Sequence, residues 1–263
     1  KPINKVVLFI KLSTLVEAPN YLVCKKLCTR QVMRIFATSD LHVDFRQNRQ
    51  FIEGLSKVEF CQDILLIAGD IAHQFGLIET ALAVLRSKFG KVFYVPGNHE
   101  LWVRGEKGDS LEKFYRIVEL CKQLDVQIHP GRAENYWIVP LFSWYEEEFD
   151  LEKASAEASL DGWGDFHFCA WPQHALPVAR FFARLNEEHI QSRREKVISF
   201  SHFSPRPDLL PAVEHLRFKG LPRVAGCTAI DSQIRALNSV LHVFGHSHIR
   251  CDRYIEQVRY VQH

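Results

Sequence analysis

Several things are scarce in this 263-residue sequence, and each scarcity excludes a class of protein. No apolar run reaches the length of a helical membrane span. Charge of neither sign is in excess: the net charge is +2, which gives no footing for a nucleic-acid-binding surface. The cysteines are few, odd in number and scattered, at 24, 28, 61, 121, 169, 227 and 251. That pattern argues against a disulfide framework and for a reducing compartment. Cys24 and Cys28 lie four apart, but no second Cys/His pair of zinc-finger spacing follows, so they read as incidental thiols. Asn-x-Ser/Thr does not occur, in keeping with an intracellular, cytoplasmic location. Internal repeats and low-complexity tracts are absent too, and the apolar content of 47% is that of an ordinary globular domain.

Methionine is almost missing: the one Met is Met33. Residues 1–32 before it carry six basic residues and a single acid, Glu17, a net +5, so residues 33–263 carry −3. The segment reads as translated upstream sequence, with an organellar transit peptide as the alternative. Either way it is expected to carry no chemistry. Residues 33–263 form the domain, and the strand that ends close to His263 suggests that a native C-terminus lies further on.

From Met33 strands and helices alternate. Arg34–Ser39, Asp63–Ala68 and Lys91–Val95 read as strands, and helices are expected over Asn48–Val58, Gly76–Phe89 and Ser110–Leu124. Val126–Ile128 and Tyr136–Leu141 continue as strands. Residues 143–175 break the rhythm with Trp144, Trp163, Trp171, Phe149, Phe166 and Phe168, either as a lid or as packing against the domain. A long helix is expected over Ala175–Arg194, then strands at Lys196–Ser201, Val240–Phe244 and Gln257–Val261, with a helix at Ile230–Leu237. The alternation implies βαβ units and an α/β fold.

Five strands end in potential ligands: Asp40 and His42; Asp70; Asn98 and His99; His202; His246 and His248. Ligands at the carboxyl ends of strands are where open α/β sheets bind. Carboxylate, amide oxygen and imidazole together suit Mn²⁺, Fe or Zn²⁺. Eight such groups are too many for one ion and fit two that share a carboxylate. Two cations about 3.5–4 Å apart clamp the attacking and leaving oxygens of a phosphoryl transfer.

Asp40-x-His42, Gly69-Asp70, Gly97-Asn98-His99-Glu100, His202 and Gly245-His246-x-His248 follow one another in the order of the calcineurin-like metallophosphoesterase superfamily, which the chain resembles from Met33 to about His248. The resemblance implies two packed mixed β-sheets flanked by helices, a four-layer αββα sandwich. It implies that Asp40, His42 and His248 hold one divalent metal ion and that Asn98, His202 and His246 hold a second. Asp70 would bridge both, opposite a hydroxide nucleophile, and His99 would assist the reaction beside the phosphate. Glu100 is expected to anchor its loop.

The remaining candidates touch substrate. Arg206, in a proline-stiffened loop after His202, either grips a phosphate or is a solvated arginine. Arg104, after the His99 motif, is of the same kind. His73, three residues after Asp70, orients His99, touches substrate or lines the rim. Trp144 and Tyr145 are candidates for stacking on a base. The expected activity is hydrolysis of a small phosphoester. The alternatives are a nucleotide or cyclic-nucleotide phosphodiesterase, or a non-catalytic scaffold of the same fold. After Asp70 the chain reads Ile-Ala-His-Gln, without the Asp-Arg-Gly of the protein serine/threonine phosphatase branch.

Overall fold

A computed structural model describes residues 10–11, 33–151, 153, 155–191 and 195–263. Apart from residues 10–11, the N-terminal segment 1–32 lies outside the described residues. So does part of the predicted helix over 175–194.

The most apolar stretches build the centre of the first sheet. β2 (Ile35–Thr38), β3 (Ile64–Ala68) and β4 (Lys91–Val95) are parallel, in the register Ile35↔Ile64 and Ile64↔Lys91. Residues 64–68 are buried without exception, as expected of a strand covered on both faces. The short β1 (Ile10–Lys11) pairs antiparallel with β2, so the extension contributes one edge to this sheet. The Arg34 guanidinium binds Asp63 through Nε at 3.0 Å and Nη2 at 2.6 Å, pinning the starts of β2 and β3 together.

The second sheet has six strands in the order β5-β6-β7-β8-β10-β9. β6 (Tyr136–Pro140), β7 (Val197–Phe200), β8 (Ser239–Val243) and β10 (Val258–Gln262) are parallel, and β5 (Gly131–Ala133) and β9 (Cys251–Ile255) are antiparallel edges. The sheets pack face to face, and a Cβ on Gly131 would sit 2.9 Å from the Phe93 ring. Helices α1 (Arg46–Gly54), α2 (Phe75–Arg86) and α3 (Ser110–Gln123) belong with the first sheet, and α5 (Val178–Leu185) and α7 (Thr228–Ala236) pack together beside β8. Asp109 caps α3 through the Glu112 N–H while the Glu112 carboxylate returns to the Asp109 N–H. Two mixed sheets flanked by helices result, as the resemblance implied.

Several elements differ from their sequence expectation, among them the edge strands β1, β5 and β9, which were not expected. The helix over 175–194 divides into α5 and α6 (Glu187–Ile190), because Asn186 between them turns its side chain inward. Its amide accepts from Phe142 N–H and donates to Phe142 C=O, each at 2.8 Å, and donates to Gln233 Oε1 at 2.8 Å. The strand at 126–128 is reduced to one bridge between Gln127 and Phe93. The aromatic insert contains a short helix, α4 (Gly164–Phe168), that periodicity did not reveal.

Asn186→Ala leaves three buried polar groups without partners, at about 1–3 kcal/mol each before relaxation. The expected loss of stability is roughly 2–4 kcal/mol, read as a lower urea midpoint with an unchanged slope.

Candidate metal centre

The loops that follow the strands lie side by side at one edge of the two sheets. Asp40 N–H donates to Gly69 C=O and His42 N–H to Asp70 C=O, both at 2.9 Å, and Gly245 N–H reaches His202 C=O at 2.9 Å. Asp40, His42, Asp70, His246 and His248 all have positive φ, between 42° and 70°. Left-handed backbone at so many non-glycine residues is costly and marks places where the surroundings force a side chain into position. The neighbouring glycines clear the space. A Cβ on Gly69 would lie 2.4 Å from His202 Nδ1, and one on Gly97 would lie 2.3 Å from Asp70 Oδ1. Each glycine of these motifs therefore makes room for a ligand that belongs to another motif.

Four acceptor atoms meet in one buried group. His202 Nε2 is 3.1 Å from Asn98 Oδ1, 3.2 Å from His246 Nδ1 and 3.4 Å from Asp70 Oδ1, and His246 Nδ1 is 3.1 Å from Asn98 Oδ1. The opposite ring nitrogens set the tautomers. His202 Nδ1 donates to Ala68 C=O at 2.8 Å, and His246 Nε2 donates to Val224 C=O at 2.9 Å. Each imidazole thus turns a lone pair towards the group, the usual way a backbone carbonyl orients a ligating histidine. Asn98 spends its amide N–H₂ elsewhere, on Asp165 Oδ1 at 2.8 Å, so its oxygen faces inward.

A second group adjoins the first. Asp40 Oδ2 accepts from Ser39 Oγ at 2.6 Å and from His246 N–H at 3.2 Å, while Asp40 Oδ1 is buried with no hydrogen-bond partner. That orphaned oxygen lies 3.3 Å from His248 Nε2. The His42 and His248 rings are stacked at 5.4 Å. Asp70 Oδ2 points to this side, 3.9 Å from His42 Nε2, while its Oδ1 faces His202. Asp40, His42 and His248 form one cluster of ligating atoms, and Asp70, His202 and His246 form another.

Burial of so many acceptors has an electrostatic cost. Desolvation pushes the carboxyls of Asp70 and Glu100 each up to about 7. Against the same desolvation, the imidazoles of His248, His202 and His42 hold Asp40 well below the usual carboxylate range. Burial drives His246 well down. Converging carboxylate, amide and imidazole groups, one carboxylate oxygen with no hydrogen-bond partner and a desolvated Asp70 are the conditions that a divalent cation relieves, and the donor set fits such ions.

Glu100 anchors the loops, as expected. Fully buried, it accepts N–H groups from Asp70 at 3.0 Å and Gly97 at 2.6 Å, and also that of Ile71. One carboxylate so joins the turn carrying Asp70 to the turn carrying Asn98. His99 stands at the mouth, stacked on Trp102 at a ring distance of 3.9 Å, with Nε2 3.9 Å from Asp70 Oδ2.

The substrate candidates are placed elsewhere than the sequence suggested. Arg206 is paired with acids: its fork is bidentate on Asp208 at 2.9 and 2.8 Å, and Nη1 is 3.2 Å from Asp231. Arg104 lies over the Phe168 ring at 5.0 Å. His73 pairs with Asp44 at 2.8 Å, and its ring is 6.2 Å from Trp102. Trp144 and Tyr145 are buried, stacked on one another and packed on Phe203, so neither is free to stack on a base. Asp165 was missed. Its only sequence signal is an acid amid the aromatic residues of the insert.

The family model of calcineurin-like phosphoesterases matches residues 33–250. The acyl-carrier-protein phosphodiesterase PptH of Mycobacterium tuberculosis is 27% identical over 256 residues, covering 86% of this chain and 75% of its own. The crystal structure of phosphopantetheinyl hydrolase (PptH) from Mycobacterium tuberculosis aligns with a TM-score of 0.70 at 22% identity, over 87% of each chain, a likeness of fold. A putative 5'-nucleotidase from Staphylococcus aureus covers 87% of this chain and 48% of its own at 11% identity and a TM-score of 0.40, too distant to carry an argument.

Gly97→Ala places a methyl against Asp70 Oδ1. The expected result is a folded protein whose Mn²⁺ affinity falls roughly 10–100-fold, as for other losses of ligand orientation, measured by calorimetric titration of metal-stripped protein.

Proposed function

The chain belongs to the calcineurin-like phosphoesterase family, whose members hydrolyse phosphoric esters, and on that premise we propose that it works through a dinuclear centre. The carrying observation is the pair of adjoining acceptor clusters with one Asp70 oxygen turned to each. Asp40, His42 and His248 would hold one ion, Asn98, His202 and His246 the other, and Asp70 would join them. Divalent ions held there, Mn²⁺, Fe or Zn²⁺, would supply a hydroxide nucleophile at neutral pH and charge to neutralise the phosphoryl oxygens.

The chain's own residues do the rest. His99, stacked on Trp102 and with Nε2 3.9 Å from Asp70 Oδ2, would protonate the leaving oxygen or stabilise charge on the phosphoryl group. Trp102 and Trp163 wall the ligand cluster, the first stacked on His99 and the second 5.7 Å from the His246 ring. Glu100 keeps the Asp70 and Asn98 turns in register and takes no part in the chemistry.

The relative's name widens the substrate class from a small phosphoester to a phosphodiester carried on a protein. We take that as the leading reading, on the strength of a 27% identity that extends over most of both chains.

Bis-p-nitrophenyl phosphate and a phosphopantetheine-bearing acyl carrier protein test the proposal together. Hydrolysis of both is expected with Mn²⁺, with chelator abolishing it and Asp70→Ala falling by about 10²–10³-fold, as when a single element of transition-state charge stabilisation is lost. Full activity in metal-stripped Asp70→Ala would sink the mechanism. Turnover of the small diester alone would remove the protein-borne substrate. No bound metal and no turnover would favour the scaffold.

A further inference from the structure

The aromatic insert places an unusual carboxylate beside the ligand cluster. Asp165, on α4, is 3% exposed and makes no salt bridge with a cationic side chain among the described residues. Three neutral N–H donors converge on it. Asn98 Nδ2 reaches Oδ1 at 2.8 Å, Trp102 Nε1 reaches the same oxygen at 2.6 Å, and Trp163 Nε1 reaches Oδ2 at 2.7 Å. Asn98 and Trp102 flank one short turn, His99–Leu101, Trp163 immediately precedes α4, and each adjoins the metal centre. Asn98 presents its oxygen to the cluster, Trp102 stacks on His99, and Trp163 stands edge-on to His246.

An asparagine amide has two ends of nearly equal size and opposite polarity. Turned one way it offers an oxygen to a cation; turned the other it offers N–H groups, which bind no metal. Both Asp165 oxygens already accept an indole N–H, Oδ1 from Trp102 and Oδ2 from Trp163, so the side chain faces Asn98 as an acceptor. Asp165 can therefore be satisfied by the amide N–H₂ alone, and that leaves Asn98 Oδ1 facing His202 and His246. The indole N–H groups hold the carboxylate itself in place, since both of its oxygens are engaged.

We propose that Asp165 is a positioning residue of the metal centre, deciding which end of the Asn98 amide faces the ligand cluster and pinning the two indoles that wall it. The proposal rests on the reading of the cluster as a metal site. Its test reads metal binding directly on metal-stripped full-length protein titrated with Mn²⁺. Asp165→Asn has a side chain that can also donate, so the amide of Asn98 is no longer held in one sense. A loss of about 10–100-fold in Mn²⁺ affinity is expected, the range for a group that orients a ligand. Because Asp165 acts through Asn98, the double variant Asp165→Asn/Asn98→Ala is expected to bind no more weakly than Asn98→Ala alone.

A third variant decides the matter even where Asp165→Asn fails to fold. Asn98→Asp supplies an anionic ligand, which by itself favours a cation, but sets it against the Asp165 carboxylate. Weaker Mn²⁺ binding than in the unaltered protein is expected, with recovery on adding Asp165→Asn. Unchanged binding in folded Asp165→Asn, additive losses in the double variant, or tighter binding in Asn98→Asp would each overturn the proposal. An unaltered protein that binds no Mn²⁺ would overturn the metal-site reading itself, a distinct result.

Discussion

Lone pairs brought face to face in a buried space repel one another unless a cation stands between them. The structure is built around such a place. Asp70, Asn98, His202 and His246 present acceptor atoms 3.1–3.4 Å apart, and Asp40 adds a carboxylate oxygen with no hydrogen-bond partner. Such an arrangement does not arise from packing, because each acceptor would be better solvated in water. It persists because the turns around it allow no alternative.

Those turns are held by three devices of different kinds. Glycines at 69 and 97 remove side chains so that ligands from other strands can approach. Backbone carbonyls of Ala68 and Val224 take one proton from each of two imidazoles and thereby aim the opposite nitrogen. Buried carboxylates do the rest: Glu100 gathers backbone N–H groups of two turns, and Asp165 joins its own indole neighbour Trp163 to the turn that carries Asn98 and Trp102. The positive φ values at five ligand residues are the strain that these contacts hold in place.

The aromatic insert gains its meaning from this arrangement. Trp144 and Tyr145 turn inward and join the core against Phe203, while Trp102 and Trp163 remain beside His99 and His246. The insert is therefore both packing and wall, with α4 between the two roles. Arg206 shows the opposite outcome. Its guanidinium is engaged by acids on the loop itself and on α7.

Residue type and apolar patterning alone disclosed the parallel strands, the order of ligand-bearing tips and the donor set, since a run such as Ile64–Ala68 ending in Gly-Asp carries its meaning locally. Helix boundaries were less legible: the break at Asn186 depends on Phe142 and Gln233, 44 and 47 residues away. The same holds at the site. Sequence by itself determined that carboxylates, an amide and imidazoles would meet at strand ends. Only the tertiary structure decided which nitrogen of each imidazole faces inward, which end of Asn98 does, and that the two Asp70 oxygens face different clusters. The physical reason is range. Side-chain chemistry is a property of one residue, whereas the His202 tautomer is set by a carbonyl 134 residues distant and the Asn98 amide by a carboxylate 67 residues distant.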